Sequence, residues 1–100
     1  RRCFTRREVE YCDRGGTFKA QCYAVRFAAK EAIAKALGTG IRDGMRWTDL
    51  EITRDASGKP GVRLHGSAAV EADRCGIRSW HLALSHSDGM ALASVIAEGG

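Results

Sequence analysis

The run Arg26–Gly40, RFAAKEAIAKALGTG, constrains this chain most. The alanines at 24, 28, 29, 32, 34 and 36 lose no side-chain entropy in a helix and let a neighbouring element pack close. The run then stops on Gly-Thr-Gly, and Gly38 suits the left-handed position that closes a helix. Read backwards, Phe18, Cys22, Val25, Ala29, Ile33, Ala36 and Leu37 recur at three and four. That spacing predicts an apolar face on a helix from a Thr17 cap to about Leu37. The same helix carries polar groups in a pattern of its own. Glu31 and Lys35 are four apart and share a face, with Phe27 one turn earlier. Lys30 points about 100° away from Glu31 around the helix.

The rest of the chain reads as support for that helix. One hundred residues make a single domain, 1–100, that buries a smaller share of its surface than a large domain does. No apolar run approaches the length of a membrane helix and no leader pattern heads these residues, so the expected compartment is the cytoplasm. Cys3, Cys12, Cys22 and Cys75 contain no CxxC pair, and their spacing matches no zinc pattern. They are expected to be free, mostly buried thiols. His65, His81 and His86 are too dispersed to make a metal site by spacing.

The net charge of +4 rests on arginine, and four of the first seven residues are Arg1, Arg2, Arg6 and Arg7. A basic balance is compatible with nucleic acid, phosphate ligands or an acidic protein. Aromatic residues make up 7% of the chain, which gives little material for a base-stacking platform. For most of these arginines, solvated surface charge is the competing reading.

Thr5-Arg6-Arg7-Glu8 is a capping box that opens a short helix to about Tyr11 or Asp13, with Phe4 placed to staple it to Val9. Gly15-Gly16 breaks the chain before the long helix. Residues 41–46 form a basic loop. Trp47–Arg54 alternates as a half-buried strand, 55–60 is a turn, and Val62–His65 returns as its hairpin partner. Pro60 sits at that strand's entrance, where the missing N–H is tolerated. Gly66 to about Cys75 reads as a second helix. In Ser79–Ser85, Trp80, Leu82 and Leu84 face one way and His81, Ala83 and Ser85 the other. Ser87-Asp88-Gly89 turns the chain into a last strand, Met90–Ala97. Strands joined by short turns imply an antiparallel sheet packed on the long helix, an α+β fold.

Five blocks in this order resemble a known family. They are FT-x-x-E-x-x-YC at Phe4–Cys12, RFAAKEAIAKALGTGI at Arg26–Ile41, W-x-D-L-E-I at Trp47–Ile52, GKP at Gly58–Pro60 and SWHLALSH at Ser79–His86. Together they are similar to the small type of 4′-phosphopantetheinyl transferase, the holo-(acyl-carrier-protein) synthase family, over nearly the whole chain. The resemblance implies transfer of phosphopantetheine from coenzyme A to a serine of an apo acyl carrier protein, with release of adenosine 3′,5′-bisphosphate. The pathway served would be fatty acid or polyketide synthesis.

Each site residue is carried over from that resemblance. Glu31 would ligate Mg2+ and hold the water that takes the serine proton, and Lys35 would bind the pyrophosphate. An ordinary i,i+4 surface ion pair between the two is the alternative. Lys30 is balanced between a site role and a solvated lysine. Arg26, Arg42 and Arg46 are candidates for the 3′-phosphate, since a guanidinium grips a phosphate with two hydrogen bonds. Gly38 is a cap first and a ligand neighbour second. Lys59 and Pro60 would lie near the adenine, and Ser85 and His86 near the nucleotide; a generic turn and a structural histidine are the alternatives there.

The family also carries an N-terminal G-x-D strand, whose aspartate is a second metal ligand, and an arginine-rich helix that docks the carrier protein. These 100 residues begin after both. Either they are a piece of a longer protein or the strand has been lost, and the intact remainder favours the first. Arg1, Arg2 and Arg6 would meet the acidic carrier, and family members assemble as trimers with each active site between two subunits. A degenerate module that binds coenzyme A or the carrier without chemistry is the second reading, and a basic nucleic-acid-binding domain the third.

Overall fold

The computed structural model describes residues 2–38, 44–87 and 89–99, without the side chain of Ser87. Arg1, Arg42 and Asp88 lie outside the described residues, as do Thr39 and Gly40 of the Gly-Thr-Gly stop. Helix α1 is Arg6–Asp13, α2 is Lys19–Leu37 and α3 is Gly66–Arg74; the strands are β1 (Leu50–Arg54), β2 (Pro60–Leu64), β3 (Ile77–Ser87) and β4 (Met90–Gly99). Short 3₁₀ turns at Gly16–Phe18 and Trp47–Asp49 lead into α2 and β1.

The α+β expectation holds, with one change in the sheet. The strands form two antiparallel pairs, β1–β2 and β3–β4. In the first, Leu50 faces Leu64 and Ile52 faces Val62; in the second, Trp80 faces Ala97 and Leu82 faces Val95. Helix α2 lies against β4, with β1 and β3 alongside. The core gathers Ala29, Ile33, Ala34 and Leu37 of α2, Met45, Leu50 and Ile52, and Ala68 and Ala72 of α3. Trp80, Leu82 and Leu84 point to that core from β3 and His81, Ala83 and Ser85 are exposed, as the alternation predicts.

The capping box forms as the sequence implies. Thr5 Oγ1 accepts from Glu8 N, and Thr5 N donates to Glu8 Oε1 at 2.8 Å. The Phe4 ring meets Tyr23 edge-on at 4.9 Å. Thr17 does not cap α2: it sits inside the 3₁₀ turn, and α2 starts with no side-chain cap. That turn also carries Phe18 off the core face, and it is 61% exposed. Ala36 is exposed as well, and Ala34 is buried instead. Gly38 does close α2, with φ +82°, and its N–H is committed to the Lys35 carbonyl.

The cysteine expectation is overturned. Cys12 and Cys22 are joined by a disulfide with Cα atoms 5.4 Å apart, which ties the last turn of α1 to the first turn of α2. Cys3 and Cys75 are free, and Cys75 is exposed rather than buried.

Lys30 is also a correction. It is not solvated: it has no exposed surface, and its Nζ donates to Glu8 Oε1 at 2.9 Å, to the Trp47 carbonyl at 2.9 Å and to the Leu50 carbonyl at 2.5 Å. All three donors are committed within the protein, so Lys30 joins α1, α2 and the entrance to β1 rather than facing a ligand.

A second buried acid, Glu51, joins β1 to both flanking helices. It accepts from Thr5 Oγ1 at 2.6 Å and pairs with His65 Nε2 at 3.0 Å, and His65 stands at the residue before α3. Burial pushes the Glu51 carboxyl up, but the bonds from Thr5 and His65 outweigh it and hold the group below its ordinary 4.5. A lowered carboxyl stabilises the fold above its unfolded pKa, and that contribution disappears as pH falls through the folded value. Thermal melts are therefore expected to lose stability progressively below pH 4.5, and Glu51→Gln is expected to flatten that acid limb. An unchanged acid limb in the variant would remove Glu51 as its cause.

Candidate active site

Helix α2 carries most of the site by turning three faces in three directions. Its core face holds Ala29 and Ile33. Arg26 and Lys30 project to buried polar positions. Glu31 and Lys35 are exposed. Among the described residues no ion pair within 4 Å engages Glu31 or Lys35, so the surface pair weighed from the sequence is not formed. An acid and an amine thus stand one turn apart on an exposed face, with no ion-pair partner among the described residues.

Arg26 is the best-defined cation of the site. It is 2% exposed, its guanidinium stacks 4.5 Å above the Tyr11 ring, and one nitrogen donates to Cys22 Sγ at 3.2 Å. Its Nε is buried with no hydrogen-bond partner. Burial pushes the guanidinium below its usual range, and the nearby charge of Arg54 adds to this. A buried cation with an unused donor beside a second cation is an unmet demand for negative charge. The solvated reading of Arg26 is therefore corrected.

Arg26 lines a cleft of about 600 Å³ whose walls include Tyr11, Arg14, Phe18, Arg54, Ser85 and His86. Three residues read from the sequence, Arg26, Ser85 and His86, thus come together. The His86 and Phe18 rings lie 6.4 Å apart. Tyr11, Arg14 and Arg54 were not singled out. Tyr11 stands in the Phe4–Cys12 block, but Arg14 and Arg54 lie outside the five blocks, and only the return of β1 past α1 brings Arg54 beside Tyr11, at 5.8 Å.

Arg46 lies in a different place. It lines a second cleft, of about 700 Å³, with Arg2, Thr5, Arg6 and Trp47. Its backbone N–H donates to Asp49 Oδ2 at 3.1 Å, which fixes the turn while the side chain stays exposed. Lys59 and Pro60 are at the far end of the β1–β2 hairpin, Lys59 in a turn built on Asp55, whose Oδ1 accepts from Ser57 and Lys59, and Pro60 as the first residue of β2. Neither cleft is lined by Glu31, Lys35, Gly38, Lys59 or Pro60. The chain therefore presents the expected site residues in separate groups.

Mg2+ takes oxygen ligands and is held by one or two carboxylates together with substrate phosphates and water. Glu31, exposed and in no ion pair among the described residues, fits that requirement as one protein ligand. Among the described residues there is no group of three His, Cys, Asp or Glu side chains that would form a self-sufficient cage.

These features define a small α+β domain with an acid and an amine on its long helix and an arginine-walled cleft. Residues 1–88 match the family model described as the 4′-phosphopantetheinyl transferase superfamily, and the chain belongs to that superfamily. The chain is similar to two curated holo-[acyl-carrier-protein] synthases. It is 50% identical over 97 residues to that of Trichlorobacter lovleyi, covering 97% of this chain and 76% of that protein. It is 46% identical to that of Geobacter sp. strain M21, covering 97% and 77%. Among solved structures, the Neisseria meningitidis holo-[acyl-carrier-protein] synthase superposes with a TM-score of 0.84 at 36% identity, covering 97% of this chain and 77% of that one. The Helicobacter pylori synthase, solved in complex with coenzyme A, gives 0.81 at 29% identity, with 97% and 78% covered.

Proposed function

We propose that this chain transfers the 4′-phosphopantetheine arm of coenzyme A to a serine of an apo acyl carrier protein. The observation that carries this reading is the exposed Glu31–Lys35 face in a chain whose relatives at 43–50% identity are holo-[acyl-carrier-protein] synthases. The serine oxygen forms a bond to the β-phosphorus, the bond from that phosphorus to the bridging oxygen breaks, and adenosine 3′,5′-bisphosphate leaves. Positioning and charge stabilisation account for most of such a reaction.

Glu31 holds the divalent ion and orients the water that receives the serine proton. Lys35 meets the charge on the pyrophosphate. Bound Mg2+ supplies a Lewis acid for the phosphoryl oxygens. Arg26 grips the 3′-phosphate with its guanidinium, and Ser85 and His86 line the same cleft. Arg46 serves as a second phosphate contact, and Lys59 and Pro60 border the adenine. Gly38 closes α2, and its committed N–H leaves it a neighbour of the ligand only.

The separation of Glu31 and Lys35 from the Arg26 cleft supports a site completed between two copies. The outer face of β3–β4 supports the same assembly, a homotrimer. There Leu92 and Ile96 are each 59% exposed, opposite Ser85 and His81. Arg1, Arg2 and Arg6 would attract the acidic carrier, mostly by raising its rate of encounter. Among the described residues no helix is long and apolar enough to cross a membrane, and the proposed setting is the cytoplasm.

The test is to incubate the full-length protein with coenzyme A, Mg2+ and several apo carrier proteins, and to weigh the carriers by mass spectrometry. A gain of one phosphopantetheine arm is expected, with none when Mg2+ is chelated. Unmodified carriers throughout would overturn the proposal.

A further inference from the structure

We propose that Cys12 and Cys22 form a thiol–disulfide exchange site in the wall of the Arg26 cleft, with a low-molecular-weight disulfide such as glutathione disulfide as co-reactant. The redox state of the pair then sets how readily Arg26 is offered to an anion. The coupling to an anion rests on the phosphate reading of Arg26, whereas the exchange chemistry does not.

The geometry distinguishes the two sulfurs. Cys12 is wholly buried, while Cys22 is half-buried and lines the cleft. Only Cys22 can therefore meet a reagent from solvent. Arg26 donates to Cys22 Sγ at 3.2 Å, so a cation stands where a thiolate would form. Such a neighbour raises the thiolate fraction, and the thiolate is the nucleophile in exchange. Cys12 waits behind it, with the Cα atoms 5.4 Å apart, inside the range that a disulfide needs. A reactive outer thiol backed by a buried resolving thiol is the arrangement that exchange requires.

The steps balance. The Cys22 thiolate attacks one sulfur of glutathione disulfide, that S–S bond breaks, and one glutathione leaves as a thiolate that takes up a proton. Cys12 then gives up its proton and attacks the Cys22 sulfur, releasing the second glutathione. Two protein thiols lose two electrons and two protons, and the glutathione disulfide is reduced to two thiols. Reduction runs the same path in reverse.

Arg26 feels the difference directly. In the disulfide the Cys22 sulfur is neutral and a weak acceptor, so the guanidinium is held loosely on that side. In the dithiol a Cys22 thiolate holds Arg26 by a charge-assisted bond, and an arriving phosphate must compete with it. Reduction is therefore expected to weaken anion binding in the cleft, by about fivefold.

The test equilibrates the full-length protein with mixtures of reduced and oxidised glutathione, alkylates the remaining thiols and maps the peptides. Cys12 and Cys22 are expected to pass from alkylated to linked as the mixture becomes more oxidising. Cys12→Ala is expected to trap one glutathione on Cys22, and Cys22→Ala to leave Cys12 unmodified. Calorimetric titration with adenosine 3′,5′-bisphosphate is expected to give about fivefold weaker binding to the reduced protein. Alkylation of both cysteines at every ratio would overturn the site, as would glutathione on Cys12 in place of Cys22. Equal affinity in the two states would overturn the coupling. If Arg26→Ala binds the bisphosphate like the wild type, the phosphate reading of Arg26 fails, and the peptide map judges the exchange site alone.

Discussion

Glu31→Gln is expected to lower phosphopantetheine transfer by ~10²–10³-fold, the range seen when one electrostatic contact to a reacting centre is removed. The fold should not register the change. Glu31 is exposed, and among the described residues it accepts no hydrogen bond and joins no ion pair. A surface substitution of that kind stays within about 0.5 kcal/mol of the wild type. Gln keeps the shape and one acceptor oxygen but loses the negative charge that a hard divalent ion requires. Carrier modification followed by mass spectrometry measures the rate, and calorimetric titration of Mg2+ in the presence of coenzyme A measures the binding lost with the charge. Wild-type rate with wild-type Mg2+ affinity would remove Glu31 from the reaction. Lys35→Met separates the amine's role from the acid's: it leaves the proposed ion ligand in place, so its loss should appear without a matching loss of Mg2+ affinity.

The helix that carries Glu31 was legible because its signals are local. Alanine content, a three-and-four spacing and a terminal glycine all act within a few residues, and in α2 they hold for the helix, for its Gly38 stop and for Val25, Ala29, Ile33 and Leu37 of the predicted face. The Thr5–Glu8 capping box is legible for the same reason. The same reading fails where a partner comes from far along the chain. Lys30 has the sequence context of a surface lysine, and only Glu8, 22 positions earlier, together with the 47–50 segment makes it a core residue. Phe18 belongs to the helical period but lies in a 3₁₀ turn, where the period breaks. Cys12 and Cys22 carry no spacing signature, and their bond follows from how α1 folds back on α2. The site divides in the same way. Glu31 and Lys35 follow from helix geometry, whereas the Arg26 cleft needs α1, β1 and β3 in place before Tyr11, Arg54 and His86 become its walls.

Lys30→Met is expected to destabilise the fold by ~3–5 kcal/mol, the cost of breaking a buried ion pair from one side. For a domain of this size that lowers the melting temperature by on the order of 12 °C or more. The Glu8 side chain has no exposed surface, so its carboxyl would be left without its cation in the interior, and the Trp47 and Leu50 carbonyls would each lose a donor. Glu8→Gln is the milder change. An amide oxygen can still accept from Thr5 N or Ile52 N, although the charge that holds the Lys30 ammonium is gone. Burial already pushes Lys30 below its usual range, and the charge of Glu8 opposes that shift. The Gln variant therefore allows Lys30 to lose its proton and relieve part of the strain. Replacing both, Glu8→Leu with Lys30→Met, removes the orphaned carboxyl. It leaves Thr5 N, Ile52 N and two carbonyls unmatched, so recovery should be partial. Chemical or thermal denaturation ranks the three variants, and a Lys30→Met protein that melts with the wild type would show that the pair holds nothing together. The same bonds fix the start of α1 and the turn after Arg46, so loosening them should disturb the arginine-lined cleft of Arg2, Arg6 and Arg46 while leaving the Glu31 side chain chemically intact.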